Sequence, residues 1–303
     1  MIKRNFGGIK TYYYIVFASI VFLFILLGSF FDLKIDRAIY SPDNFYANFF
    51  EYTGTLPASA IIATSGVFLY YYFNNKDKNK KIFEYLKYGS FIFLTLGIGV
   101  LWGLDAFSSH LESKIPCIII GIIVISCTNG FFMYYLKDGE NQDEYLKKGL
   151  LLIICGAISF ALTFIIKGII VRPRYMGIRM YLGNNEDYFR PWYLFSTSKD
   201  EVLNNMISNY GSYYVDSFPS GHASFSSLIF LSLVFYNVKG NKEKRQLKLF
   251  IFSLISMLII GLSRLTDGHH YLSDLGFGYL IGLLPLSLGF FITYRKENVK
   301  DNK

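Results

Sequence analysis

This chain of 303 residues is short of cysteine, histidine and charge. It contains three cysteines, four histidines and 17% charged residues. Cys117, Cys127 and Cys155 lie in apolar segments without CxxC spacing, which is typical of small buried side chains and argues against a metal or redox centre. Zinc-finger spacing and strands that combine arginine with aromatic residues are also missing. The net charge of +8 therefore does not indicate a nucleic-acid-binding protein.

Apolar residues, by contrast, make up 52% of the chain, and 19% of all residues are aromatic. They fall in long runs, and a helix needs about 20 such residues to cross a bilayer. We therefore predict an all-α integral membrane protein with about eight transmembrane helices. The first span is expected to stay uncleaved, because no small-residue cleavage site follows it. The predicted spans are about 12–31, 57–74, 88–104, 116–136, 149–170, 221–238, 247–264 and 274–294.

Lysine and arginine cluster in every second loop between these spans. By the positive-inside rule, the lysine-rich loops and both termini lie in the cytoplasm. Residue usage rich in lysine, asparagine, isoleucine and tyrosine suggests the cell membrane of a bacterium. The loops predicted on the outer face are 32–56, 105–115, 171–220 and 265–273.

The longest outer loop, centred on residues 175–216, is rich in tyrosine and contains Trp192. Loops of this length in compact proteins often act as lids over a site. Tryptophan and tyrosine also anchor proteins at the membrane interface. The sequence leaves a substrate-gating role and an anchoring role open for this loop.

Three cations leave the fifth predicted span on the outer side, against the positive-inside trend. They are Lys167, Arg172 and Arg174 in the sequence KGIIVRPRY. Lys167 and Arg174 are seven residues apart, about two helical turns, so both can face one side. Because arginine forks match phosphate oxygens, the cluster indicates a phosphate site. A lipid-headgroup anchor is the alternative.

A second motif, PSGH at residues 219–222, begins the sixth predicted span. Ser217 is a candidate N-cap for the helix, and Pro219 suits its first turn. The amides of Ser220 and Gly221 are then expected to point outward from the positive end of the helix dipole, where an anion binds. His222 adds a group that exchanges a proton near neutral pH.

The third motif, SRLTDGHHYLSD at residues 263–274, lies between the last two spans. Arg264 closes one span, whereas His270 and Asp274 are four residues apart on one face of the next helix. The carboxylate can there accept the Nδ1–H of the imidazole and leave Nε2 free as a base or nucleophile. His269 points about 100° away from His270 and is interpreted as a bystander or headgroup contact.

These three motifs resemble the signatures of the type 2 phosphatidic acid phosphatase family, within the vanadium haloperoxidase-like superfamily. The resemblance covers about 88–294, which is then expected to form the catalytic core from the last six spans. Residues 1–87 would be an additional pair of spans and 295–303 a cytoplasmic tail. The family usually has proline after the last arginine of the first motif, where this chain has Tyr175. Arg172, which does precede a proline, is therefore an auxiliary candidate.

The resemblance implies a phosphatase that works through a phosphohistidine. His270 would attack phosphorus, Asp274 would orient it, and His222 would protonate the leaving oxygen. No metal and no cofactor are implied, and the expected partners are a phosphorylated lipid and the surrounding membrane lipids, with no nucleic acid. The phosphate-binding residues that the resemblance implies are Lys167, Arg174, Ser220, Gly221 and Arg264.

The sequence leaves alternatives open for both the substrate and the reaction. Prenyl diphosphates and glycerolipid phosphates are the leading substrates, since a site at the lipid boundary favours a lipid over a sugar phosphate. A lipid phosphotransferase would pass the phosphate to another hydroxyl in place of water. A non-catalytic transporter of lipid headgroups is the alternative from another class, but binding alone needs no pair of His270 and Asp274.

Overall fold

The computed structural model describes residues 5–6, 9–76, 80–107, 113–136, 142–181, 186–194, 201–237 and 242–294. The predicted tail, 295–303, lies outside these residues. A short antiparallel hairpin of β1 (Asn5–Phe6) and β2 (Ile9–Lys10) precedes the helices. The α-helices are α1 (Thr11–Ile39), α2 (Phe45–Thr53), α3 (Leu56–Asn74), α4 (Lys81–Phe107), α5 (Lys114–Leu136), α6 (Gln142–Ile169), α7 (Tyr175–Tyr181), α8 (Glu201–Tyr210), α9 (Gly221–Ser227), α10 (Lys242–Thr266) and α11 (Leu272–Tyr294).

Among the described residues, seven helical segments are long and apolar enough to cross a membrane. The remaining predicted span, 221–238, is a shorter apolar helix made of α9 and a 3₁₀ continuation, Leu228–Asn237. The predicted all-α integral membrane fold is confirmed. The seven segments are Thr11–Ile39, Phe45–Asn74, Lys81–Ala106, Lys114–Leu136, Glu144–Ile169, Glu243–Thr266 and Leu272–Phe290.

Two helical segments lie where the sequence predicts an outer loop, at 32–56. Helix α1 continues to Ile39 because its acidic residues face inward: Asp32 and Asp36, one turn apart, are 2% and 0% exposed. Helix α2 then begins after Asn44, whose side chain accepts a hydrogen bond from the Tyr46 amide at 2.8 Å. The first hydrophobic run thus ends before the helix does.

Helix α1 packs closely against α11, the last helix of the chain. A Cβ on Gly28 would lie 2.4 Å from the Ser273 amide nitrogen, and a Cβ on Gly276 would lie 2.9 Å from the Ile25 amide nitrogen. Only glycine at these two positions permits such an approach of the backbones. The contact brings the end of α1 next to the first turn of α11.

Residues 175–216 are folded onto the helices in their described parts. Helices α7 and α8 and short 3₁₀ turns follow one another in this segment. Trp192 donates a hydrogen bond from Nε1 to Ser29 Oγ at 2.8 Å, and its ring centroid lies 4.6 Å from that of Phe277. Trp192 therefore bridges α1 and α11.

Candidate active site

The first two motifs are joined by backbone hydrogen bonds. Beyond the end of α6, the Arg172 amide donates to the Val215 carbonyl at 2.9 Å, and the Ser217 amide donates to the Arg172 carbonyl at 3.1 Å. Arg172 and Asp216 thus form a short parallel bridge. The bridge aligns the residues before PSGH with the cationic first motif.

Lys167 and Arg174 converge on one carbonyl oxygen, that of Asp216. Lys167 Nζ donates to it at 2.9 Å and Arg174 Nη2 at 3.2 Å. Lys167 Cε also lies 4.0 Å from the position that a Cβ on Gly221 would occupy. The two cations therefore face one side, beside the first residue of α9.

The helix of the second motif begins later than predicted. Ser220 is its N-cap, because its Oγ accepts a hydrogen bond from the Ala223 amide at 3.3 Å. The predicted N-cap at Ser217 is wrong, since that hydroxyl donates to Asp274 Oδ2 at 2.5 Å. The Ser220 amide, predicted to face an anion, instead donates to the Asp274 carbonyl at 3.1 Å.

His270 is held by a backbone carbonyl. Its Nδ1 lies 2.5 Å from the Ser217 carbonyl oxygen. Because a carbonyl only accepts, Nδ1 carries the proton and Nε2 of the neutral ring keeps its lone pair. The expected hydrogen bond from Nδ1 to Asp274 is not made: the nearest carboxylate oxygen is 4.0 Å away.

Asp274 reaches His270 through Ser217. Its Oδ2 accepts from Ser217 Oγ at 2.5 Å and from the Tyr271 amide at 2.8 Å. The Ser217 carbonyl in turn accepts from His270. The Asp274 carboxylate is fully buried, at 0% exposure. It holds Ser217, and the Ser217 carbonyl in turn holds the imidazole of His270.

Arg172, the auxiliary phosphate-binding candidate, is occupied inside the protein. It is 1% exposed, its Nη1 donates to Ser273 Oγ at 2.9 Å and to Asp274 Oδ1, and its Nη2 pairs with Asp32 Oδ2 at 2.9 Å. Burial alone would lower the pKa of Arg172, but Asp274 and Asp32 outweigh it and raise the pKa above its ordinary value. The prediction that Arg172 binds phosphate is therefore corrected: its guanidinium is buried and contacts Asp274.

Helix α2 covers His222 and Arg264. His222 Nε2 lies 3.2 Å from the Glu51 carbonyl oxygen, and Arg264 Nη2 donates to the Ala47 carbonyl at 3.4 Å. Since the Glu51 carbonyl only accepts, His222 carries a proton on Nε2. A segment from the predicted loop thus lies directly over two motif residues.

A chain of side-chain contacts connects Arg174 with Arg264. The Arg174 guanidinium lies 4.1 Å from the centroid of the Tyr213 ring, and the Tyr213 hydroxyl contacts His269 Nε2. His269 Nδ1 is 2.7 Å from Asp267 Oδ2, which also pairs with Arg264. The ring of His269 is buried within this chain of contacts, and its interpretation as a bystander or headgroup contact stays a prediction.

One group of residues has the geometry to hold a metal ion. Ligand atoms of Glu51, Asp267 and His269 lie within 4.8 Å of one another. The guanidinium of Arg264 pairs with Asp267 at the same point, and a second cation there would be repelled. The donor set therefore fits a metal poorly, and metal-free chemistry stays a prediction.

Arg174 and Arg264 each retain a buried donor. The Nε atoms of both side chains are buried and have no hydrogen-bond partner among the residues described. An unsatisfied buried donor costs about 1–3 kcal/mol, more when it is charged. An oxyanion within reach of either guanidinium would offer these donors an acceptor, which is the chemistry of a phosphoryl group.

The surroundings of His270 favour its neutral form. Burial, followed by the positive charges of Arg174 and Lys167, lowers the pKa of His270 well below its ordinary value. A neutral imidazole is the nucleophilic form of histidine, so the two cations predicted to bind phosphate also favour the form that the predicted nucleophile needs.

This environment predicts a pH profile. Because its pKa is lowered, His270 stays neutral as the pH falls through about 6.5, the ordinary pKa of histidine. We therefore expect kcat/KM to fall only at a pH below that value. Lys167→Met removes one positive charge and should move the acid limb of the profile to higher pH, besides lowering the rate. The measurement is kcat/KM against pH for both proteins, and coincident midpoints would contradict the assigned electrostatics.

Several contributors to the site were missed in the sequence. Asp32 carries a usable signal, because an ionisable residue inside an apolar span marks a functional site. The sequence gives no signal for the carbonyls of Ser217, Ala47 and Glu51. Every residue has a carbonyl, and only the fold determines where it points.

The matches to known proteins agree with the geometry. Residues 148–298 match the sequence profile of the PAP2 superfamily. "Lipid phosphate phosphatase 1" of Arabidopsis thaliana is 42% identical over 76 residues, covering 22% of this chain and 23% of that protein. An uncharacterized protein of Mycoplasma capricolum is 23% identical over 219 residues, covering 59% of this chain and 56% of that protein.

The chain thus spans less than a quarter of the plant protein and just over half of the mycoplasma protein. No solved structure matches it significantly. The matched residues 148–298 contain all three motifs, and the fold is helical with membrane-spanning segments. The chain therefore belongs to the PAP2 superfamily, through residues 148–298.

Proposed function

We propose that this protein hydrolyses a phosphomonoester or diphosphate of a membrane lipid through a phosphohistidine. The observation that carries the proposal is the hydrogen bond from His270 Nδ1 to the Ser217 carbonyl, which leaves the lone pair on Nε2 of a ring whose pKa is lowered by burial and by the charges of Arg174 and Lys167. Membership of the PAP2 superfamily and the similarity to a protein named a lipid phosphate phosphatase support a membrane phosphatase.

The reaction takes two displacements at phosphorus. In the first, His270 Nε2 attacks phosphorus, the bond to the leaving oxygen breaks, and His222 gives that oxygen a proton. In the second, water attacks the phosphohistidine, His222 takes a proton from it, and His270 leaves as the neutral ring. Asp274 orients His270 through Ser217 in both.

The phosphoryl oxygens gain charge stabilisation from a fixed set of donors. Positioning and electrostatic stabilisation supply most of the catalysis in phosphoryl transfer. Three cations from separate helix ends can perform this work without a metal. The proposed set is Lys167, Arg174, Arg264, the Ser220 hydroxyl and the Gly221 amide.

A lipid substrate suits the position of these residues. They lie where α6 and α10 end and where α9 and α11 begin, so they share one end of the helical bundle. A headgroup can bind there while its chains stay in the bilayer. By the positive-inside rule this end is the outer face of the cell membrane, with both termini in the cytoplasm.

A phosphate-release panel on the purified protein tests the proposal. We expect release from prenyl diphosphate, phosphatidic acid or phosphatidylglycerophosphate, and much slower release from a soluble phosphate ester. The release should persist in excess EDTA, because the cations of the site are protein side chains.

The outcomes separate the alternatives. Labelled phosphate recovered on a second lipid or sugar, and not as orthophosphate, would show a phosphotransferase. Binding of lipid phosphates without turnover would contradict the phosphatase. Activity that is lost in EDTA and restored by Mg²⁺ would contradict the metal-free scheme.

A further inference from the structure

Helix α1 lies outside the matched residues 148–298, yet one of its side chains is part of the site's support. Asp32 is 2% exposed and sits beside the third motif. Its Oδ1 accepts a hydrogen bond from the Ser273 amide at 2.9 Å, and its Oδ2 accepts one from the Ser273 hydroxyl. An acidic side chain on another helix thus satisfies one of the first amides of α11, where negative charge is stabilising.

The same carboxylate holds Arg172. The Arg172 guanidinium lies between two buried acids, with Nη2 2.9 Å from Asp32 Oδ2 and Nη1 in contact with Asp274 Oδ1. A buried charge pair is rigid because neither partner can exchange the other for water without a large cost. The position of Asp274 therefore depends on Asp32 as well as on its own helix.

From Asp274 the contacts continue to the nucleophile. Ser217 donates its hydroxyl to Asp274 at 2.5 Å, and the Ser217 carbonyl accepts from His270 Nδ1 at 2.5 Å. The Ser217 amide is bound to the Arg172 carbonyl at 3.1 Å. Arg172 thus supports Ser217 through its backbone, and supports Asp274 through its side chain.

We propose that Asp32 is a positioning residue for the reaction, which makes α1 part of the catalytic unit. It holds Arg172, Asp274 and the first turn of α11 in the arrangement that aims His270. The inference rests on the proposed function, since it concerns the rate of the step that His270 performs. Asp32 itself does not touch the phosphoryl group.

Asp32→Asn is the test. The amide keeps the shape of the side chain but replaces one acceptor by a donor, which faces donors of Ser273 and Arg172. A displacement of about 1 Å at a reacting group costs about 10²-fold in rate, so kcat should fall by about 10–100-fold. KM and the inhibition constant of vanadate should stay within about threefold, because Lys167 and Arg174 are untouched.

Asp36→Asn is the matched control. Asp36 lies one turn further along α1 and is 0% exposed, and neither of its carboxylate oxygens has a hydrogen-bond partner among the described residues. The substitution makes the same chemical change one turn further along the same helix without touching the contacts of Arg172. Its kcat should remain within about threefold of the wild type.

Ser273→Ala provides a second variant if Asp32→Asn does not fold. It removes the hydroxyl between Asp32 and Arg172 and should lower kcat several-fold at an unchanged KM. The proposal is overturned if the kcat of Asp32→Asn stays within about threefold of the wild type, or if Asp36→Asn lowers kcat as much as Asp32→Asn does. It is also overturned if Asp32→Asn raises KM and the inhibition constant of vanadate and leaves kcat unchanged. A wild-type protein without turnover would instead contradict the proposed function.

Discussion

Replacing His270 by asparagine is expected to abolish phosphate release, with a loss of at least about 10³-fold in kcat. The amide nitrogen of asparagine can still donate toward the Ser217 carbonyl, which accepts from His270 at 2.5 Å. The variant therefore keeps the local fold but lacks the nucleophilic Nε2. Phosphate release from the best lipid of the panel measures the loss, and labelled substrate should leave no phosphate on the protein.

His269→Asn is the control for this prediction. His269 is the adjacent residue and is also buried, but its contacts run to Tyr213 and Asp267. It supports Arg264 indirectly, so its loss should raise KM and lower kcat by no more than about tenfold. Equal losses in the two variants would show that the nucleophile was assigned to the wrong histidine, and full turnover of His270→Asn would exclude a phosphohistidine at that position.

The motif residues could be predicted because their chemistry is unusual for their place. Lys167 and Arg174 are cations on the side that the positive-inside rule predicts to be poor in cations, and the structure brings both to the Asp216 carbonyl. The prediction that His270 and Asp274 share one face of a helix is wrong, because α11 begins at Leu272 and only Asp274 lies on it. The spacing did not reveal that the Ser217 carbonyl lies between them.

Arg172 shows where sequence reasoning is weakest. In the chain it lies between Lys167 and Arg174, and its place before Pro173 made it an auxiliary phosphate-binding candidate. Its Nη2 instead pairs with Oδ2 of Asp32, which is 140 residues away in sequence and 2.9 Å away in space. Such a partner cannot be deduced from local periodicity, because it depends on how α1 packs against α11.

Helix α2 was missed for a related reason. Residues 44–53 are too short and too polar at their start to be predicted as a span, so hydropathy assigns them to a loop. The segment nevertheless places two carbonyls over the site, those of Ala47 and Glu51. Its contribution lies in backbone atoms, which hydropathy and residue spacing do not report.

His222→Asn should lower phosphate release from a lipid ester by about 10²–10⁴-fold, the usual contribution of a general acid. In the structure Nε2 of His222 donates to the Glu51 carbonyl at 3.2 Å, so this role requires the ring to be protonated on both nitrogens and a proton to pass to the leaving oxygen. An alkoxide is a poor leaving group without that proton. An acidic phenol leaves without it, so the loss on an aryl phosphate should be under about tenfold.

The comparison of the two substrates is what identifies the acid. His270→Asn should lose activity on both, because the nucleophile is needed whatever the leaving group. His222→Asn should lose it only where the leaving oxygen needs a proton. If His222→Asn were equally impaired on the aryl phosphate and the lipid ester, His222 would be a phosphate-binding group and the proton donor would lie elsewhere. If His222→Asn were fully active on both substrates, His222 would have no part in the reaction, and its contact with α2 would serve only the fold.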